Sequence, residues 1–121
     1  MSKDLRAFAR TVVNWSAACA LVDPRGPPWP VRAVNVSESG FGVMSPRALA
    51  AGTLVDLQVV VPPRADITQA HTVRVRGKVA HSVFRQDECL LGIQVLTLDP
   101  TDHDVLRRWG HRPLLPASKL R

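Results

Sequence analysis

No stretch of this 121-residue chain is apolar for long enough to cross a bilayer. Its longest runs, residues 17–22 and 57–63, fall far short of the roughly 20 residues that a spanning helix needs. A secretory signal is missing as well, because MSKDLRAFAR reaches its second arginine at position 10 without an apolar segment. The expected location is cytoplasmic. Only two cysteines occur, Cys19 and Cys89, each among apolar neighbours, so reduced, buried thiols are expected and not a disulfide. Neither has a CxxC partner, and His71, His81, His103 and His111 are scattered without HExxH spacing, so no metal or nucleophile site assembles. There is no Gly-x-Ser-x-Gly and no P-loop, and Gly40-Phe41-Gly42 lacks the third glycine of a dinucleotide fingerprint. The chain is not expected to be an enzyme or to carry a cofactor or metal. Aromatics are few, and Trp15, Trp29 and Phe41 form no base-stacking array, which argues against nucleic acid as a partner.

What is present describes one domain. A hydrophobic share of 45% with 21% charged residues is an ordinary globular composition, and the length allows a single core. Valine recurs in short runs separated by Gly, Pro, Asp and Ser, the pattern of a many-stranded antiparallel fold. Strands are expected over residues 11–22, 31–36, 41–44, 54–61, 72–84 and 88–96. Alternation is clearest where Val73, Val75, Gly77 and Val79 face one way and Thr72, Arg74, Arg76 and Lys78 the other, giving one buried and one wet face. After Leu98 the period changes: Asp99 suits an N-cap, Pro100 the first helical position, and Gly110 a stop, with Val105, Leu106 and Trp109 as a narrow apolar stripe. Six short strands expose too much edge as an open sheet, so the expected fold is an all-β, six-stranded antiparallel barrel with a C-terminal helix capping one end.

Two patterns stand out together. One is Arg6-Ala-Phe-Ala-Arg10; the other, beginning 25 residues after Arg10, is Asn35-Val36-Ser37-Glu38-Ser39-Gly40. RxxxR alone carries no weight in a chain with 13 arginines, since Arg108 to Arg112 repeats it, but the pairing with the second pattern is rare. The pair resembles the RxxxR and [D/N]xSxxG motifs of the PilZ family, receptors for the bacterial second messenger cyclic di-GMP. The flanks are similar too, from residues 6–15 through Gly52 and Gly77-Lys78-Val79 to Gly92-Ile93-Gln94-Val95, so the resemblance spans roughly residues 5–109. It implies a PilZ-like barrel over residues 11–110, an N-terminal arm over residues 1–10, and a basic tail over residues 111–121. It also implies a ligand site made of Arg6, Arg10, Asn35, Ser37 and Gly40.

The residue types suit that ligand. An arginine fork matches guanine O6 and N7, pairs with phosphate and stacks on bases, and positions i and i+4 point broadly the same way on a short arm. Asn35 stands where the family also uses aspartate; an amide offers guanine N1–H and N2–H a single acceptor, which lowers the expected affinity. Ser37 can bond the ligand or cap its own turn, and Gly40 permits positive φ or close backbone approach. With Leu5 and not a cation before Arg6, one ligand molecule is expected and not a stacked pair. The arm has little core of its own, so it is expected to be mobile when empty and to close over the ligand. With no output domain expected in this chain, the reshaped surface is expected to be read by a separate effector protein. Two alternatives stay open: a PilZ-type adaptor that does not bind nucleotide, and a basic barrel that binds nucleic acid nonspecifically.

Charge alone points to neither. The formal net charge is +6, yet residues 107–121 carry Arg107, Arg108, Arg112, Lys119 and Arg121 without an acid, which leaves residues 1–106 close to neutral.

Overall fold

Alternating valines build the interior directly. In the computed structural model, which describes residues 11–37, 39–63 and 69–111, six strands follow one another: β1 (Thr11–Leu21), β2 (Trp29–Val36), β3 (Gly40–Ser45), β4 (Leu54–Val61), β5 (His71–Arg85) and β6 (Glu88–Leu98). Helix α1 (Pro100–His111) ends the described chain. The expected arm over residues 1–10 and the tail beyond residue 111 lie outside the described residues.

All neighbouring strands pair antiparallel in the order β1-β2-β3-β6-β5-β4, and β4 returns to β1 to close a barrel. Inward positions are apolar: Val55, Leu57, Val59 and Val61 on β4 and Val73, Val75 and Val79 on β5 are all at most 2% exposed. They meet Cys19, Val31, Phe41, Val43, Leu91 and Ile93 from the other strands in one core. The outward residues Arg74, Arg76 and Lys78 are exposed, as the alternation required. The expected strands all appear, several longer than their sequence pattern. β2 begins at Trp29 and β6 runs to Leu98 because barrel neighbours, and not local propensity, decide where pairing ends.

Helix α1 starts as its capping residues dictate. The Asp99 carboxylate accepts the Thr101 N–H at 2.8 Å, and the Asp99 carbonyl accepts the His103 N–H. Gly110 does not stop the helix, which continues to His111. The stripe then does its expected work at the barrel end: Val105 and Leu106 are buried, and Trp109 meets Trp15 edge to face with centroids 4.9 Å apart. Trp109 Nε1–H also donates to the Pro62 carbonyl, and His71 and Asp102 join β5 to α1 through a 2.8 Å contact.

Both cysteines are free and buried. Burial pushes the Cys19 thiol up to about 12, against a partial offset from Arg47. The fold therefore favours the neutral thiol, so its contribution is intact below pH 9 and is lost as pH rises from 9 toward 12. At pH 8 a thiol reagent should label Cys19 only on unfolding, with a burst of reactivity when urea is added. Replacing Trp109 with alanine should lower unfolding free energy by about 2–3 kcal/mol in a urea titration, since it removes the aromatic contact with Trp15.

Candidate functional site

The second sequence pattern occupies the turn between β2 and β3. Ser37 N–H donates to the Gly40 carbonyl at 2.9 Å, and the Ser37 hydroxyl donates to the same oxygen at 3.3 Å. Of the two roles open to Ser37, it fills that of turn cap. Gly40 is needed for close approach and not for positive φ: a Cβ there would sit 2.7 Å from the Ile93 carbonyl oxygen. The Ser39 carbonyl accepts Val95 N–H at 2.9 Å, so the turn is seated on β6.

Strand register then draws a row across the outer wall. Val12 on β1 faces Asn35 on β2, Asn35 faces Gly42 on β3, Gly42 faces Gly92 on β6, and Gly92 faces His81 on β5. Cross-strand partners point to the same side of a sheet. Phe41, Val43, Leu91 and Ile93 are buried inside, so this row lies outside. The Asn35 side chain lies over Gly42 and the His81 ring over Gly92, each where a Cβ would have to be. Two neighbouring glycines thus give the wall a low floor, with the Asn35 amide lying close over one and the His81 imidazole over the other. Val12, 85% exposed, extends the row beyond Asn35.

Beside this floor is a hollow of about 320 Å³ lined by Ser39, Gly40, Ala80, His81, Gly92 and Gln94, among others. Asn35 and Gly40 are therefore brought to one patch of wall with Ser37 holding the turn between them. The β1 register sets Thr11 against Val36, so the chain enters the barrel beside the motif. Arg6 and Arg10 lie outside the described residues. His81, Gly92, Gly42 and Gln94 were missed as site residues by sequence reasoning. His81 reads as an ordinary strand histidine, and Gly40-Phe41-Gly42 reads only as an incomplete dinucleotide fingerprint. The available signal was two glycines, Gly42 and Gly92, on strands that the barrel order makes neighbours.

A larger hollow of about 470 Å³ lies between β4 and β5, lined by Arg25, Asp56, Arg74 and Arg76 among others. Three of its charges are spent on one another: Asp56 accepts two hydrogen bonds from Arg76, at 2.6 and 3.2 Å, and lies 3.8 Å from Arg25. Among the described residues no group of three His, Cys, Asp or Glu is arranged to hold a metal ion. None of the described helices is long and apolar enough to cross a membrane. Trp15 and Phe41 are buried, and Trp29 donates to Ser45 Oγ while Arg47 stacks over its ring at 4.1 Å.

The fold is thus a small closed barrel with a C-terminal helix, and the candidate site lies on its outer wall at the β2–β3 turn. The PilZ domain family profile matches residues 4–110, and the chain belongs to that family. Among solved structures, it is similar in fold to the Bacillus subtilis inhibitor of motility MotI/DgrA, with a TM-score of 0.74 at 12% identity. The alignment covers 88% of this chain and 49% of that one, so the chain spans about half the length of MotI/DgrA. No curated relative matches the chain by sequence.

Because His81 rests on the space left by Gly92, replacing Gly92 with alanine should force the ring off the wall. The expected cost is about 1–3 kcal/mol from overpacking. A proton NMR shift of the His81 Cε1–H signal should accompany it, with the rest of the barrel spectrum retained.

Proposed function

We propose that this PilZ domain is a cyclic di-GMP receptor that signals to a separate effector protein. The observation that carries this reading is the low floor where Asn35 and the His81 ring lie over Gly42 and Gly92 beside Gly40, at the place where β1 enters next to the motif turn. Guanine is planar and needs both a flat seat and edge partners. The Asn35 amide and the His81 ring, laid low over Gly42 and Gly92, supply the seat. Asn35, His81 and Gln94 supply donors and acceptors around it. Arg6 and Arg10 contribute what the wall lacks, planar cations for phosphate and for guanine O6 and N7.

Ser37 acts in this scheme by fixing the turn, and Gly40 by letting the turn sit on β6. The arm carrying the arginines closes over the bound ligand, and the surface so formed is what the effector reads. The free energy for closure comes from the charged hydrogen bonds that the arm makes only in the bound state.

Titration calorimetry with cyclic di-GMP tests the reading. The protein should bind it. Arg10→Ala should weaken binding at least tenfold through loss of a charge-assisted contact, and Asn35→Ala should weaken it by a smaller factor. Amide exchange over residues 5–12 should slow on saturation. No heat with the unsubstituted protein favours an adaptor that needs no nucleotide, and equal affinity for an arbitrary oligonucleotide favours a basic nucleic-acid barrel. Unchanged exchange at saturation would remove arm closure while leaving binding intact.

A further inference from the structure

Strand β5 outruns β4. Lys78 is its last residue paired with β4, opposite Leu54. Val79 then spends its N–H on the Thr53 carbonyl and its own carbonyl on Gly52 N–H. From there β5 continues to Arg85, and over residues 81–85 it pairs with β6 alone among the described residues. The two-residue turn Gln86-Asp87 makes Arg85 and Glu88 a pair that exchanges hydrogen bonds across the hairpin. Counting back along the strand, Ser82 and Phe84 direct their N–H and C=O groups to the other side, where no strand lies among the described residues.

This edge is unguarded. Natural edges are blunted by charge or proline, yet residues 80–84, Ala-His-Ser-Val-Phe, include neither a formal charge nor a proline. All are exposed, with Phe84 at 73% and Val83 at 47%. Phe84 shares the face of its partner Cys89, which is buried in the core, but reaches beyond the barrel end, where no described residue covers it.

We propose that this edge pairs antiparallel with the same edge of a second copy of the chain, about a twofold axis at Ser82. The strand is complementary to itself in that register. Ser82 faces Ser82, each Phe84 faces Ala80 of the second copy, and each His81 faces Val83. No like charges oppose, and only the small bulge residue Ala80 stands opposite each Phe84. Pairing also stops where it should: at the next position Arg85 spends its N–H and C=O on Glu88, and Val79 opposite it is already bonded to Thr53 and Gly52. The two barrels would then share one continuous β5–β5 sheet.

A short ladder gives a small interface, so association should be weak and visible in sedimentation velocity between about 10 and 500 μM. The 13.3 kDa chain should move toward twice that mass as concentration rises. Phe84→Lys alters a side chain with little contact in the folded barrel, and Ser82→Pro removes an N–H that faces away from β6. Each should weaken dimerisation at least tenfold while leaving the circular dichroism spectrum unchanged. Ser82→Cys should form a covalent dimer on mild oxidation, since the buried Cys19 and Cys89 stay silent, and Arg74→Cys on the outer wall should not. A monomer at every concentration overturns the proposal, as does a dimer that survives both substitutions. Failure of Ser82→Cys to cross-link in a dimeric sample overturns it equally.

Discussion

Closure of β4 onto β1 is the constraint on which everything else rests. The pairs from Ala17 with Val59 to Leu21 with Val55 turn six strands into a ring, and a ring of this size has an interior only wide enough for side chains. Valines on β4 and β5 fill it, together with Phe41, Leu57, Leu91 and Ile93. No ligand can enter such a core, so recognition must happen on the outside. The outer wall of a pleated sheet is normally studded with side chains, however, and a flat ligand needs a low, level patch. Glycines Gly42 and Gly92, made adjacent by β3–β6 pairing, answer that need, and the register that closes the barrel is what aligns them.

The helix depends on the same closure. α1 can bury Val105 and Leu106 only because the barrel presents an apolar end, and Trp15 belongs to that end through the inward face of β1. Asp102 does two jobs here. It meets His71 through one oxygen and accepts the Arg74 N–H through the other, so the helix start is held to the start of β5 by polar contacts while its later turns are held by apolar ones. Most of the surplus positive charge lies beyond this packed unit. Among the described cations, Arg107 and Arg108 face Asp104 on the same helix, and Arg76 and Arg25 face Asp56.

Much of the fold was legible because period-two alternation and turn residues are local signals. Val73 to Val79 declared their faces outright, and Asp99-Pro100 declared the helix start. Strand ends were less legible, since whether Trp29 or Leu98 is paired depends on a neighbour distant in sequence. Gly110 misled for a related reason: a helix end is set by what the last turn packs on as well as by the residue that permits a stop. In the candidate site, Asn35, Ser37 and Gly40 stand out in the sequence through their resemblance to the family motif, and the fold puts them at the β2–β3 turn. His81 and the two floor glycines do not stand out, because their meaning comes from a cross-strand row that exists only once the strand order is known.

The overshoot of β5 follows from the same geometry and gives residues 80–85 two different surroundings. The bulge between Val79 and His81 shifts register just where β4 ends, which sends His81 over Gly92 on the outer wall and leaves the following backbone without a β4 neighbour. A shorter hairpin would have spared the edge but also removed the residue that walls the hollow. One side of this strand thus borders the candidate ligand site through its side chains, while the other offers backbone groups to a second chain. The two uses do not compete for atoms: the first draws on the imidazole of His81, the second on the N–H and C=O groups of Ser82 and Phe84.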